Sequence, residues 1–109
     1  MAGVVYLGHD NELAYILKDN GTAIPTSAVV RMTLRIGKTL LTSTNGATQA
    51  IRWDGSTYQT GEIHIVAGRT TGIAPHIYRS PLVVYTSTDS SGIVWGEVHL
   101  DVRSDPEAT

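Results

Sequence analysis

The stretch AVVRMTLRI, residues 28–36, alternates a fully apolar set of side chains with a set that contains two arginines. Alternation with a period of two is typical of a β-strand with one face in a core, whereas a helix needs apolar residues three and four positions apart. Because an unpaired charge is costly inside an apolar core, the arginines must face water. The pattern therefore predicts an inward set of Ala28, Val30, Met32, Leu34 and Ile36, and an outward set of Val29, Arg31, Thr33 and Arg35.

Turn signals divide the rest of the chain into further short strands. Asp19-Asn20-Gly21 and Asn45-Gly46 combine residues that tolerate positive φ and favour tight turns. Pro81 cannot donate to a sheet, so the first half of segment 77–86 is predicted to be an edge or a bend. The predicted strands besides the first are 4–7, 12–18, 39–43, 49–53, 61–67, 77–86 and 93–102.

About seven short strands without a convincing helix indicate an all-β protein. Turn signals at this spacing favour an antiparallel two-sheet sandwich of immunoglobulin-like (Ig-like) type, with a small β-barrel as the alternative. Residues 1–103 are predicted to form one Ig-like domain, because a chain of 109 residues has enough material for one core. Residues 104–109 are predicted to be a polar C-terminal tail.

The composition excludes several classes of function. The chain contains no cysteine, so disulfides, thiolate metal sites and cysteine catalysis are excluded. A net charge of −2 argues against a nucleic-acid partner, because phosphate binding needs a basic surface. The sequence shows neither a leader pattern nor an apolar run of about 20 residues, so we expect no membrane partner and assembly in a reducing cytoplasm.

Two histidines are candidate metal ligands. His64 and His99 lie on predicted strands, and each has a carboxylate two positions away on the same face, Glu62 and Asp101. If the two strands were neighbours, these four side chains could form a histidine–carboxylate metal site. The favoured interpretation is that they are polar positions on the solvent side of amphipathic strands. The chain is therefore predicted to hold no metal and no cofactor.

No catalytic motif is recognisable. The sequence lacks a G-x-S-x-G nucleophile elbow. Asp10, Glu12 and Asp89 could pair as carboxylates, but a domain of this size rarely forms the cleft that glycoside hydrolysis needs. Residues 68–72, GRTTG, lack the Lys-Ser/Thr pair and the helix of a phosphate loop. We therefore expect a protein that is not an enzyme.

Three side chains are predicted to form a contact surface: Val83, Tyr85 and Trp95. In the last strand, the alternation places Val94, Val98, Leu100 and Val102 inside and Trp95, Glu97, His99 and Asp101 outside. An outward tryptophan is covered either by a loop or by a partner, to which aromatic residues contribute much of the binding energy. Segment 82–85 is apolar on both faces, so its second face must also be covered, and another subunit is one candidate.

Segment DNELAYILKDNGTAIPTSAVVRMTLRI, residues 10–36, resembles the start of the small Ig-like modules of tailed bacteriophages. Such modules occur in baseplate upper proteins and in tail or capsid accessory proteins. The shared pattern is a polar turn, an amphipathic strand, a D-x-G turn, a short proline-containing link and an alternating strand with a charged outer face. The Trp53-Asp54-Gly55 turn, the strand entry at residues 58–63 and the closing strands 82–85 and 92–102 look like the rest of such a module.

The resemblance implies a non-enzymatic virion protein in many copies, or a homo-oligomer, that contacts other virion proteins. Association with the tail or baseplate is favoured, and capsid decoration is the second location. A carbohydrate- or receptor-binding Ig-like module is the alternative function. Its expected surface is formed by loops 68–76 and 87–92 together with Trp95 or Tyr78, because glycan sites place an aromatic platform beside polar groups.

Overall fold

A computed structural model of the chain describes residues 3–19, 21–23, 28–45, 49–53, 58–105 and 107. All of its regular elements are strands, which confirms the all-β class. The ten strands are β1 (Gly3–Tyr6), β2 (Leu13–Ile16), β3 (Lys18–Asp19), β4 (Thr22–Ala23), β5 (Val29–Ile36), β6 (Thr39–Ser43), β7 (Ile51–Trp53), β8 (Glu62–Ile65), β9 (His76–Thr86) and β10 (Ile93–Arg103). The predicted turns at Asp54-Gly55 and the link around Pro25 lie outside the described residues.

The larger sheet has five strands in the order β1-β10-β9-β5-β6. Its four strands from β10 to β6 pair antiparallel, as expected, because β5–β6 and β9–β10 follow one another in the chain. The prediction of a purely antiparallel sheet is wrong at one edge, where β1 pairs parallel to β10 with Gly3 opposite Leu100. The first strand of the chain thus pairs side by side with the last strand.

The smaller sheet has three antiparallel strands in the order β2-β8-β7, and β3 and β4 form a separate hairpin. Ile63 and Ile65 of β8 are flanked by Tyr15 and Leu13 of β2 and by Trp53 and Ile51 of β7. This row faces the even-numbered side of β5 and β9 and closes a single hydrophobic core, so the architecture is that of a two-layer β-sandwich. The predicted inward positions of β2, β7 and β8 are therefore confirmed.

The predicted register of β5 is correct only in its second half. Met32, Leu34 and Ile36 are fully buried, as predicted. Before them the two faces are exchanged: Val29 is buried, with 8% of its surface exposed, whereas Val30 is 53% exposed and Ala28 is exposed as well. The pairing with β9 slips between Val29 and Arg31, which is a β-bulge. Because a bulge adds one residue to one strand, the side chains before it point to the opposite face from the one that alternation predicts.

A second bulge changes the face of Trp95. The pairing of β10 with β9 slips between Val94 and Gly96, so Val94 lies opposite Val83 on the outside and is 68% exposed. Trp95 is half-buried and packs against the core. The predicted orientation of this pair is wrong, whereas Val98, Leu100 and Val102 beyond the bulge are buried as predicted.

Pro81 lies in the middle of β9 and has the effect that the sequence predicts. Residues Leu82, Val83 and Val84 pair with β10 on one side and β5 on the other, and Pro81 itself pairs with Glu97 of β10. The β5 pairing ends at Leu82, so in the described structure residues 76–81 pair on one side only. A residue without an amide donor is tolerated in such a one-sided segment.

Candidate functional site

The solvent side of the five-stranded sheet, which we call the outer face, is the most extensive candidate surface. It is built from the odd-numbered side chains of β9 and of β5 after its bulge, together with their cross-strand neighbours. A row of four runs across it from Thr42 through Thr33 and Val83 to Val94. The large exposed apolar side chains of the face are Leu40, Ile77 and Val94. The three-stranded sheet covers the opposite side of this sheet, not the outer face.

Val83 and Tyr85, two of the predicted contact residues, lie on the outer face, and the chain itself partly covers them. Gly92, which ends the loop after β9, approaches both side chains so closely that a Cβ there would lie 2.6 Å from Cγ1 of Val83 and 2.7 Å from Cε1 of Tyr85. Trp95, the third predicted contact residue, packs on the other side of the sheet. The structure therefore groups Val83 and Tyr85 with Val94 rather than with Trp95.

The outer face carries arginines that have no carboxylate partner. Arg31 and Arg35 of β5 are joined there by Arg79 of β9, which lies opposite His99. The Arg31 guanidinium stacks over the Tyr85 ring, with its Cζ 4.0 Å from the ring centroid, which is a cation–π contact. Neither Arg35 nor Arg79 forms an ion pair with a described residue, whereas Arg69 pairs with Asp10 and Arg103 pairs with Asp101.

A half-open cavity of about 590 Å³ lies where the loop after β9 meets the end of the sandwich. We call it the loop cavity; its wall includes Val29, Ile93 and Trp95, and its rim includes Lys18, Thr88 and Asp89. Oδ2 of Asp89 accepts a hydrogen bond of 3.0 Å from Oγ1 of Thr86, which in turn accepts one from the Asp89 amide. These two bonds fix the loop, so the polar rim is preformed beside the indole.

His64 is the most strongly engaged histidine in the described structure. It lies on the solvent side of β8, and its ring stacks on Tyr58 with centroids 4.1 Å apart and planes 7° apart. Nε2 contacts a carboxylate oxygen of Glu62 within hydrogen-bond distance. Nδ1 lies 3.1 Å from Oε1 of Glu12, without the alignment of a hydrogen bond. Two carboxylates therefore hold one imidazole between the segment before β2 and strand β8.

The charges around this imidazole stabilise its protonated form. Burial disfavours the imidazolium, but the carboxylates of Glu62 and Glu12 outweigh it and raise the pKa of His64. The bond to His64 and a backbone hydrogen bond lower the pKa of Glu62. A comparable pair, in which Nε2 of His9 lies 2.8 Å from Oδ1 of Asp105, raises the pKa of His9 and holds the start of the predicted tail.

The hypothetical four-residue metal site is wrong, because the two strands are not neighbours. His64 and Glu62 belong to the three-stranded sheet, whereas His99 and Asp101 belong to β10 of the five-stranded sheet. Both ring nitrogens of His64 already face carboxylates, and Asp101 binds Arg103 at 2.8 Å. Among the described side chains, no group of three or more His, Asp or Glu residues is arranged to hold a metal ion.

The loop at residues 68–72 connects parts of the scaffold. The carbonyl of Gly68 accepts a hydrogen bond of 2.8 Å from the Gly8 amide, and Nε of Arg69 lies 2.7 Å from Oδ1 of Asp10. Asp10 and Glu12, considered above as paired carboxylates, thus contact different cations, Arg69 and His64. The loop and the turn after β1 hold each other in place.

Sequence reasoning missed Arg79 and Val94 as members of the outer face. The signal for Arg79 was present, because the odd positions of β9 run Ile77, Arg79, Pro81, Val83 and Tyr85. No signal was available for Val94, because its face depends on the bulge beside it.

No helix in the described part of the chain is long and apolar enough to cross a membrane. The chain matches no protein-family model, no curated protein and no solved structure. The interpretation of function therefore rests on the surface described above and on the resemblance of the sequence pattern.

Proposed function

We propose that this chain is a non-enzymatic structural subunit that acts through protein–protein contacts made by its outer face. The observation that carries this proposal is the set of exposed aliphatic side chains, with Val94 68% exposed, beside Tyr85 and the arginines on one sheet surface. Interfaces are enriched in aromatic residues and arginine at the expense of lysine, and the cations of this face are arginines. An Ig-like topology for the two-sheet sandwich belongs to the same proposal.

The setting that we propose is the virion of a tailed bacteriophage, at the tail or baseplate, with capsid decoration as the second location. Support comes from the resemblance of residues 10–36 and of the later strands to phage Ig-like modules. The subunit is present in several copies and assembles in the host cytoplasm. It needs no cofactor in this role and contacts neither nucleic acid nor membrane.

Incorporation into particles tests this proposal. Tagged wild-type chain, expressed in cells that produce the phage encoding it, should be recovered in purified particles at several copies each. Val94→Asp should be excluded from the particles, since it places a charge in the outer face, whereas Ile16→Asp on the other side of the sandwich should be incorporated. Ile16 is 43% exposed, so both variants should fold. Particles without the wild-type chain would refute the virion role.

Light scattering on the purified chain separates two routes to a multi-copy assembly. A discrete oligomer would show that copies contact one another. A monomer at all concentrations would show that a partner recruits each copy separately.

A second candidate function is saccharide binding at the loop cavity. The observation that favours it is that Trp95 and residues 87–89 of the predicted loop 87–92 line one cavity, as a glycan site requires. A glycan array should then give a hit with the wild-type chain that Trp95→Ala removes, while Tyr78→Ala keeps it. Silence across the array would contradict this function.

A further inference from the structure

The outer face has a charge that differs from that of the whole chain. The chain has a net charge of −2. The strand positions of the face carry four arginines, Arg31, Arg35, Arg79 and Arg103, against two carboxylates, Glu97 and Asp101. Asp101 is bound by Arg103. Glu97, opposite Pro81, is thus the one carboxylate without an ion-pair partner among these strand positions.

Three of the four arginines, Arg31, Arg35 and Arg79, form no ion pair with a described carboxylate. Arg31 is stacked on Tyr85, which fixes its plane and leaves its N–H edge free to bind an acceptor. Arg35 directly follows the last β5–β9 pair, Leu34 with Leu82, and Arg79 lies three residues before Leu82 on β9. No described carboxylate pairs with either of them.

The charge also argues against a second copy as the partner of this face. A two-fold contact between two outer faces would press two surfaces together that each carry more arginines than carboxylates, and like charges juxtaposed in an interface cost several kcal/mol. A nucleic acid is disfavoured as well, because Leu40, Ile77 and Val94 are exposed between the arginines and would lie against phosphates.

We propose that the outer face binds a different protein, through a segment that presents carboxylates beside aliphatic side chains. This inference rests on the proposed function and names the chemistry of its partner. Carboxylates of the segment pair with Arg35 and Arg79 in the fork geometry that arginine favours. Its aliphatic side chains cover Val94 and Leu40. Glu97 opposes the segment's carboxylates and so sets the position along the sheet at which they bind.

Titration of the ¹⁵N-labelled chain with synthetic peptides tests the proposal. Three nine-residue peptides share a background of alternating valine and threonine. At the same three positions, the first peptide carries glutamate, the second lysine and the third serine. The glutamate peptide should shift amide signals of β5, β9 and β10 on the outer face, and its affinity should fall as salt is raised.

Two matched double variants locate the site. Arg35→Gln with Arg79→Gln should weaken binding of the glutamate peptide about tenfold. Lys18→Gln with Arg69→Gln removes the same charge elsewhere and should leave the affinity within about twofold. Proton–nitrogen spectra of the free variants show whether each is folded.

Four outcomes would overturn the proposal: equal binding of the lysine or serine peptide, binding that the Arg35/Arg79 variant keeps, no binding of any peptide at millimolar concentration, or tighter binding of single-stranded DNA than of the glutamate peptide. None of these affects particle incorporation, so failure here is distinct from failure of the structural role.

Discussion

At the scale of single residues, His64 shows how an outward-facing side chain becomes structural. Alternation along β8 correctly places it on the solvent side, but Tyr58, Glu12 and Glu62 then enclose it. Tyr58 and Glu62 are neighbours of His64 in the sequence, whereas Glu12 comes from a distant segment and meets the ring only in the folded protein. The charge of the imidazole therefore contributes to folding stability.

We expect the contribution of His64 to depend on pH. Its folded pKa is raised above the ordinary value of 6.5, so its stabilising effect is complete below pH 6.5 and is lost as pH rises through the folded pKa. The lowered pKa of Glu62 adds stability above its ordinary value of 4.5, which is lost as pH falls through the folded pKa. The difference in the free energy of unfolding between wild type and His64→Gln should therefore be largest from pH 4.5 to pH 6.5. It should shrink towards pH 8.

Urea unfolding at a series of pH values measures this difference. His99→Gln is the control, because His99 forms no ion pair with a described residue and lies on the other sheet. A difference between wild type and His64→Gln that stays constant from pH 5 to pH 8 would show that the ring acts by packing alone.

Gly92 is a second residue whose identity follows from its surroundings. Its φ is +84°, and a Cβ would lie 2.6 Å from Cγ1 of Val83. Gly92→Ala should cost about 1–2 kcal/mol for the backbone conformation and a further 1–3 kcal/mol or so for the clash. Gly21→Ala is the matched control, since φ is +81° and no atom lies within 4 Å of its Cβ position. Equal losses in urea unfolding would mean that Val83 and Tyr85 move aside.

At the scale of elements, the two bulges decide which side chains reach the outer face. Each inserts one residue, so the alternation continues on the opposite face beyond it. In β5 the bulge buries Val29 in place of Val30, and in β10 it turns Trp95 inward and Val94 outward. The outer face gains Val94, and the core gains an indole with a polar N–H.

Lysine substitution on either side of the β5 bulge tests this assignment. Val29→Lys should destabilise the protein by about 2 kcal/mol or more, because Val29 is only 8% exposed. Val30→Lys should change stability by no more than about 0.5 kcal/mol, since this side chain already faces water. Thermal or urea unfolding compares the two variants. The opposite order would show that simple alternation through residues 28–36 holds and that the bulge is absent.

At the scale of the whole molecule, β9 is the centre of the larger sheet. Its residues 82–84 pair with both β10 and β5, whereas residues 76–81 pair with β10 alone. The hairpin of β3 and β4 has two residues in each strand and belongs to neither main sheet. The molecule therefore has a rigid centre and a weakly held hairpin.

Hydrogen exchange should follow this arrangement. Amides of Leu82, Val83 and Val84 should exchange at least about a hundredfold more slowly than those of the β3–β4 hairpin. Within residues 76–80, amides that point away from β10 should exchange quickly. Exchange measured by NMR gives each rate. Uniform protection along β9 would mean that its first half has a second partner.

The element types and most of the core follow from the amino-acid pattern alone. Period-two alternation identified the inward sets of β2, β7 and β8 and of β5 after Val30, because side chains on one face of a strand recur at every second position whatever the strand packs against. Pro81 likewise predicted a one-sided strand from its missing donor. Arg31 and Arg35 were assigned to the outer face because burying an unpaired charge is costly.

Three features depend on contacts between distant parts of the folded chain. These are the position of the bulges, the parallel pairing of β1 with β10, and the neighbours of each polar group. A bulge is a mismatch between two strands, so neither strand's own sequence contains it, and Trp95 was assigned to the wrong face for this reason. The outer face joins Arg79 to Arg31 and Arg35 because β9 lies next to β5, although more than forty residues separate them in the chain. Pairing between distant strands is set by the packing of the whole core, and local alternation carries no information about it.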